Sequence, residues 1–238
     1  MGFLKAFVLP IEALRLIRRD PALQRLTLIS AVVSALCFAG LFVGLWYAAP
    51  YLMGLLWTKP DDWMVFVWAV TAAAFFFIAF VIGAQTIPII VLAPLSERIS
   101  IQTEQALGIE ADDGGLARFV VETGRSIQKA LLRVIVLLSG HAVLLLLWFI
   151  PGLGHAAWTI ASLFWSVVWI AFEYVDITAN RHGLSFSQVV RFLNAHAGAT
   201  LGLGLAIYAL LWVPIVNVFF VPVAVISATL LYQSESKR

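Results

Sequence analysis

A helix start near residue 21 carries the residue types that bind an anion. The chain there reads Asp20-Pro21-Ala22-Leu23-Gln24-Arg25. Because proline suits the first position of a helix, Asp20 is predicted to be the N-cap. Free backbone N–H groups and the positive end of the helix dipole attract an anion at such a start, and the Arg25 guanidinium adds a bidentate partner. Either the phosphate of a lipid headgroup or a substrate anion would satisfy this chemistry.

Further polar residues lie within or beside apolar stretches, where they are candidates for function. Glu173 and Asp176 stand about one helical turn apart and therefore share a face. Two interpretations are open for them: a structural ion pair, with Arg181 or with a basic residue of 118–133, and a role in transport. For His141 the alternatives are a hydrogen bond to a neighbouring helix and a proton relay.

The sequence contains none of the signatures of soluble catalysis. It has no Gly-rich phosphate-binding loop with Lys-Ser or Lys-Thr, no His-Glu-x-x-His, no Cys-x-x-Cys and no Gly-x-Ser-x-Gly. Its single cysteine excludes an intramolecular disulfide. The chain is therefore predicted not to be an enzyme and to use no cofactor, metal or nucleic acid.

The elements that hold these residues are far more apolar than a soluble core requires. Hydrophobic residues make up 62% of the 238 positions and charged residues only 12%, and the mean hydropathy is +0.98. No charged side chain occurs in residues 27–57 or 63–96. Since about 20 apolar residues cross the hydrocarbon core of a bilayer, the sequence predicts an all-α integral membrane protein.

One membrane domain is predicted over residues 1–238. Its segments are an amphipathic interfacial helix (1–20), a hairpin of two long transmembrane helices (21–98), amphipathic cytoplasmic helices (99–133), a first Pro-tipped hairpin (134–172), a cytoplasmic segment (173–199), a second Pro-tipped hairpin (200–232) and a tail (233–238). A kink or break is expected near Pro88, because proline removes a backbone donor. The basic face of the first helix is expected to bind anionic lipid headgroups.

The two later hairpins have arms of about 14 to 18 residues, which is at or below the usual spanning length. Their tips carry no charge and contain Pro151-Gly152 in the first hairpin and Pro214 with Asn217 in the second. Such a tip can end inside the membrane if protein or a water-filled cavity covers its backbone groups. The second hairpin is expected to penetrate only partly, and both arrangements are open for the first.

The distribution of basic residues predicts the orientation of the chain in the membrane. Of the 15 Lys and Arg residues, only Lys59 lies in the loop after the first long helix. If each segment turns back, every other basic residue lies on the opposite side. The positive-inside rule then places both termini in the cytoplasm.

Several short motifs occur in order along the chain: Ala93-Pro94-Leu95-Ser96-Glu97, Phe149-Ile150-Pro151-Gly152-Leu153-Gly154, Glu173-Tyr174-Val175-Asp176 with Asn180 and His182, Leu184-Ser185-Phe186, Val213-Pro214-Ile215-Val216-Asn217, Pro222-Val223-Ala224-Val225 and Ser227-Ala228-Thr229. Together they resemble the CysZ family of bacterial inner-membrane sulfate permeases. The resemblance covers nearly the whole chain and implies sulfate uptake for cysteine biosynthesis. It also implies two long transmembrane helices plus two partly penetrating hairpins, assembled as homo-oligomers.

The resemblance further implies a substrate site at the start of the first long helix. In the family, a Gly-hydrophobic-Arg-Arg motif after a proline is associated with sulfate binding. The matching positions here are Ala22, Leu23, Gln24 and Arg25. The second arginine is kept as Arg25, while Gln24 removes one positive charge and Ala22 replaces the glycine.

Two functions follow as hypotheses. The first is an inner-membrane anion transporter or channel with sulfate as the leading substrate, in which Arg25 makes the first encounter. The expected pathway or gating residues are Pro151, Gly152, Pro214, Asn217, Glu173 and Asp176. The second is a non-transporting scaffold of the same fold that binds lipid or a cytoplasmic partner.

Overall fold

The computed structural model describes residues 1–110, 135–211 and 220–236, which form eight helices and no strand. The helices are α1 (Phe3–Arg19), α2 (Pro21–Leu56), α3 (Met64–Ala106), α4 (Ile135–Phe149), α5 (Gly154–Arg181), α6 (Phe186–Ala195), α7 (Ala197–Leu211) and α8 (Phe220–Ser236). The predicted all-α fold class is confirmed. Residues 111–133 of the predicted cytoplasmic helices, and the predicted tip at Pro214 and Asn217, lie outside the described residues.

Two of the described helices, α2 and α5, are long and apolar enough to cross a membrane. The pair α6 and α7 would be a third span, although it bends by 99° at its break. At 1.5 Å per residue the 36 residues of α2 extend about 54 Å, well beyond a bilayer core of about 30 Å. Helices of this length and composition make the chain a membrane protein.

The long helix α3 passes the predicted end of the second span at residue 98. It continues to Ala106, and its backbone remains helical through residues 83–94, where Gly83, Pro88 and Pro94 lie. The segment that was expected to leave the membrane as a separate helix is therefore the last part of α3. No glycine or proline occurs between Pro94 and Gly108, so nothing in the sequence ends the helix earlier.

Residues 32–92 form one compact unit, made of most of α2 and the first part of α3. Aromatic rings join the two helices: the Phe42 ring meets Phe76 edge to face at 5.5 Å and Phe80 at 6.0 Å between centroids. Near the turn, the Trp68 indole donates to the carbonyl of Trp57 at 2.9 Å. These contacts form the antiparallel hairpin expected from the short loop.

The second unit comprises residues 1–31 and the described residues from 93 onward. Its core lies where α5, α7 and α8 pack together, with α1 against α7 and α8. Two glycines on α7 allow close approach, because a Cβ at Gly202 would lie 2.3 Å from the carbonyl oxygen of Phe3, and one at Gly204 would lie 2.1 Å from that of Val167. The helix backbones therefore touch at these positions.

Helix α1 packs against α7 and α8 through one face. Its buried residues are Ala6, Leu9, Pro10 and Ala13. Its larger apolar side chains are exposed, at 40–51% for Phe3, Phe7, Ile11 and Leu14. The small residues allow α1 to approach α7 closely, which leaves the larger apolar side chains on the outside, as lipid contact would require.

Helix α5 extends nine residues beyond residue 172, where the sequence places the end of the first hairpin. It ends at Arg181, two residues before Gly183, whose φ of +79° places it in the left-handed region. The next helix begins with a capping box between Ser185 and Gln188. At the other end of α5, the turn contains Gly152 with a φ of +80°.

Candidate functional site

The start of α2 is capped by Asp20, as predicted. The Asp20 carboxylate accepts the backbone N–H groups of Ala22 at 2.7 Å and Leu23 at 3.4 Å through Oδ1. Its Oδ2 accepts a hydrogen bond from the Gln102 side chain of α3 at 3.0 Å. A carboxylate of the protein therefore occupies the N–H groups that the sequence offers to an external anion.

The four predicted anion-binding residues divide into two pairs. Leu23 is fully buried, so its side chain does not reach the surface, and Ala22 is half-buried. Gln24 and Arg25 are exposed. The Gln24 amide donates to the carbonyl of Arg18 at 3.1 Å. Arg25 forms no ion pair within the described part of the chain, which leaves its guanidinium open to a ligand.

A buried carboxylate, Glu104, joins the last turns of α3, α5 and α8. Its side chain is 1% exposed. One oxygen accepts from Arg181 Nη2 at 2.9 Å, and the other meets His182 Nε2 at 2.8 Å and the Gln233 amide at 2.6 Å. The guanidinium neutralises the carboxylate, and both oxygens are hydrogen-bonded, as a buried charge requires.

Three hydroxyl groups form a triangle one helical turn from Glu104. The Thr178 hydroxyl lies 2.9 Å from Ser100 and 2.9 Å from Thr229, and Thr229 donates to Ser100 at 3.2 Å. All three residues are fully buried. Arg181 connects the hydroxyl triangle to Glu104, since its Nη1 donates to Ser100 Oγ at 2.8 Å. We call Glu104, Arg181, His182, Gln233 and the hydroxyl triangle the clamp.

The electrostatics of the clamp favour the ionised form of Glu104. Burial alone would raise the pKa of this carboxyl group. The hydrogen bond with His182, the positive charge of Arg181 and the hydrogen bond from Gln233 outweigh that effect and hold the pKa below its ordinary value of 4.5. The clamp is thus a closed, charge-compensated contact between three helices.

The remaining predicted site residues occupy different places. Glu173 and Asp176 lie on α5, as the spacing predicts; Asp176 is buried and Glu173 is half-buried. Pro151 and Gly152 are exposed in the turn before α5. Since α5 has 28 residues, this turn is about 40 Å from the clamp along the helix axis. The structure therefore does not bring Pro151 and Gly152 together with Arg181.

The sequence analysis did not find Glu104 or Gln233, although a signal was present. In each of three segments a hydroxyl residue is followed four positions later by a residue of the clamp, at Ser100 and Glu104, Thr178 and His182, and Thr229 and Gln233. Positions four apart lie on one face of a helix. Nowhere in the described ranges do three His, Cys, Asp or Glu side chains converge as metal ligands would.

Comparison with known proteins gives one consistent family. Residues 9–222 match the family model described as sulfate transporter CysZ/etoposide-induced protein 2.4. The sulfate transporter CysZ of Pseudomonas aeruginosa is 28% identical over 229 residues, which cover 94% of this chain and 92% of that protein.

Proteins of the same name from other bacteria match shorter stretches. The relative from Pectobacterium atrosepticum is 30% identical over 152 residues, covering 62% of this chain and 54% of that protein. The relative from Vibrio cholerae is 27% identical over 154 residues, covering 64% and 62%. Because the family model spans most of the sequence, this chain belongs to the sulfate transporter CysZ/etoposide-induced protein 2.4 family.

Proposed function

We propose that this protein transports an inorganic oxyanion across a membrane, with sulfate as the first candidate, and is not an enzyme. The observation that carries the proposal is the match over 94% of the chain to a protein named sulfate transporter CysZ. The exposed Arg25, one turn into α2, supports it, because a guanidinium binds the oxygens of a tetrahedral anion bidentately.

The proposal includes a membrane location, an orientation of the chain and an oligomeric state. The bacterial relatives favour an inner membrane and the positive-inside rule favours both termini in the cytoplasm, so Arg25 would bind the anion at the cytoplasmic end of the path and not at its first encounter during uptake. The exposed apolar residues of α1 would contact lipid, and its cations would bind anionic headgroups. Homo-oligomers would cover part of the apolar surface of the long helices.

The later steps of the proposed path use the residues that the sequence analysis named. Pro151 and Gly152 at the exposed turn, and Pro214 and Asn217 in the second hairpin, would line or gate the route. Glu173 and Asp176 on α5 would lie along it. Two of these residues are carboxylates, which repel an anion, so we assign them to gating and not to binding.

The position of Asp20 supports a second candidate function, that of a membrane scaffold that does not transport an anion. Its carboxylate already occupies the N–H groups at the start of α2, and Gln24 stands where the family motif has an arginine. Both features lower the attraction of this helix start for a dianion. Uptake measurements separate the two functions.

Arg25→Ala is expected to reduce sulfate uptake about tenfold at low sulfate concentration, since it removes a charge-assisted hydrogen bond to the anion. The measurement is the initial rate of radiolabelled sulfate uptake into proteoliposomes. Arg25→Lys should give an intermediate rate, because lysine keeps the charge but not the bidentate geometry.

The matched control is Arg191→Ala, which removes another exposed arginine; among the described residues its side chain hydrogen-bonds only to the carbonyl of Ser187 in its own helix. It should transport at the wild-type rate. Uptake no faster than in empty liposomes, with folded and inserted wild-type protein, would contradict transport of sulfate and favour the scaffold.

Asp20→Asn is expected to lower the sulfate concentration for half-maximal uptake about two- to fivefold. Asparagine still caps a helix, so α2 should start at the same place, while the loss of one negative charge near the anion favours binding by about 0.3–1 kcal/mol. Concentration dependence of uptake by wild type and variant gives the result. An unchanged half-saturation would mean that the anion does not bind near this helix start.

A further inference from the structure

Asp20 is the single residue between α1 and α2, and hydrogen bonds hold its backbone on both sides. Its N–H group donates to the carbonyl of Leu16 in α1 at 3.1 Å, and its own carbonyl accepts the N–H group of Gln24 in α2 at 3.0 Å. The backbone at this junction is therefore fixed, and the direction of the Asp20 side chain depends on its partners. That direction matters because the carboxylate lies at the start of the helix that carries Arg25.

One partner of the Asp20 carboxylate comes from outside α2, and it is Gln102 of α3. The Gln102 amide donates through Nε2 to Asp20 Oδ2 at 3.0 Å, across 82 positions of the sequence. Asp20 Oδ1 accepts the N–H groups of Ala22 and Leu23. Because Gln102 holds Oδ2, the carboxylate keeps Oδ1 turned toward the helix start.

Buried contacts near both partners keep α2 and α3 in place. Leu23 and Ile99 are fully buried and belong to the same apolar core. Ser100 and Glu104, which lie two residues on either side of Gln102, belong to the clamp. Residues two apart point about 200° from each other around a helix, so α3 presents Gln102 on one side and the clamp on the other.

The negative charge of Asp20 is stabilised by neutral donors. In the described part of the chain no Lys, Arg or His side chain forms an ion pair with it. Two of its three donors are backbone N–H groups of α2, and the third is the Gln102 amide. Loss of that amide would leave Oδ2 without its donor, so the carboxylate could turn and repel an anion at Arg25 more strongly.

We propose that Gln102 is a positioning residue for the transported anion. It holds the Asp20 carboxylate against the N–H groups of α2 and thereby limits the repulsion that an anion meets at Arg25. Coulomb repulsion is proportional to the charge of the ligand, so the contact between Asp20 and Gln102 also sets how far a doubly charged oxyanion is disfavoured against a singly charged one. The inference rests on the proposed function, because it concerns the same anion at the same helix start.

Gln102→Ala should raise the sulfate concentration for half-maximal uptake into proteoliposomes about two- to fivefold, with little change in the maximal rate. In the Asp20→Asn background the same substitution should leave half-saturation unchanged, because no carboxylate remains to be held. The matched control is Gln105→Ala, at an exposed glutamine three residues further along α3, which should keep the wild-type value. An equal rise in both backgrounds, or no rise in either, would overturn the proposal.

A swapped pair separates positioning from a general loss of structure. Gln102→Glu alone sets two carboxylates against each other, so half-saturation should rise beyond that of Gln102→Ala. Adding Asp20→Asn restores a donor and an acceptor across the contact, since asparagine can donate to the new carboxylate and still cap α2. The double variant should therefore recover most of the lost affinity. A double variant no better than Gln102→Glu would contradict the positioning role.

The dependence on ligand charge is measured with perchlorate. This anion has the tetrahedral shape of sulfate but a single negative charge, and its inhibition of sulfate uptake reports its affinity. The fold-change that Gln102→Ala causes for perchlorate should be about the square root of the fold-change for sulfate, because half the ligand charge meets half the repulsion. Equal fold-changes for the two anions would indicate an altered shape of the site and count against the proposal.

The inference and the proposed function can fail separately. If the wild type takes up sulfate and the substitutions at position 102 do not move half-saturation, transport stands and the positioning role is wrong. If the wild type transports nothing, the shift that sulfate causes in its thermal unfolding midpoint in detergent measures binding instead. A shift that Gln102→Ala weakens only when Asp20 is present would support the positioning role without transport. Neither uptake nor a shift in the wild type would overturn both.

Discussion

Glu104→Ala is expected to lower the free energy of unfolding by about 3 kcal/mol, because it leaves a largely buried guanidinium without its carboxylate. Arg181 is 19% exposed and would keep only its hydrogen bond to Ser100 among the contacts of the clamp. Gln233 would also lose its carboxylate acceptor in a buried position. The thermal unfolding midpoint in detergent measures the effect. Glu12→Ala, at an exposed position on α1, should change the midpoint little.

The pH dependence of stability gives an independent measurement of the same contact. The pKa of Glu104 in the folded protein lies below its ordinary value of 4.5, so the folded state favours the ionised carboxylate. The stabilisation is therefore fully present above pH 4.5 and is lost as the pH falls through the folded-state pKa. The midpoint of the wild type should fall more steeply below pH 4.5 than that of Glu104→Ala. Parallel curves would show that Glu104 does not act through its charge.

The clamp explains how distant segments come together at the ends of α3, α5 and α8. Glu104 is 77 residues from Arg181 and 129 residues from Gln233 along the chain. The apolar side chains of a membrane helix pack against lipid and protein alike, so hydrogen bonds between helices add specificity to their association. A single carboxylate with partners on two other helices selects one arrangement of the three helix ends.

The sequence predicts which helices form better than it predicts the residues at which they end. The Asp20 cap, the start of α2 at Pro21 and the hairpin of α2 and α3 follow from local chemistry, because a capping residue, a proline and charge-free stretches are visible in the sequence. The end of α5 does not follow from local chemistry, because the charged residues Glu173 and Asp176 suggest that the apolar helix ends where it leaves the membrane. Polar residues continue a helix as readily as apolar ones, and α5 extends to the glycine at 183.

The site was predictable only where its chemistry is local. The residues at the start of α2 are neighbours in sequence, so the anion-binding chemistry of Arg25 could be read directly. The burial of Leu23 could not, because it depends on packing in the folded unit.

Gly204→Ala is expected to destabilise the protein by about 3 kcal/mol or more, at the upper end of the cost of overpacking a core. The new Cβ would lie 2.1 Å from the carbonyl oxygen of Val167 and 3.0 Å from its carbonyl carbon. These are backbone atoms of α5, so no side-chain rotation relieves the clash, and α5 and α7 must separate. The separation would loosen the buried apolar contacts between them, which include Leu203 and Ile207.

Gly40→Ala is the matched control, since a Cβ at that position would meet nothing within 4 Å. Alanine is favoured over glycine in a helix by roughly 0.5–1 kcal/mol, so this variant should unfold at or above the wild-type midpoint. Opposite shifts for the two substitutions would show that contact between helix backbones at Gly204, and not helix propensity, decides the result. Equal midpoints would contradict the close packing of α5 on α7.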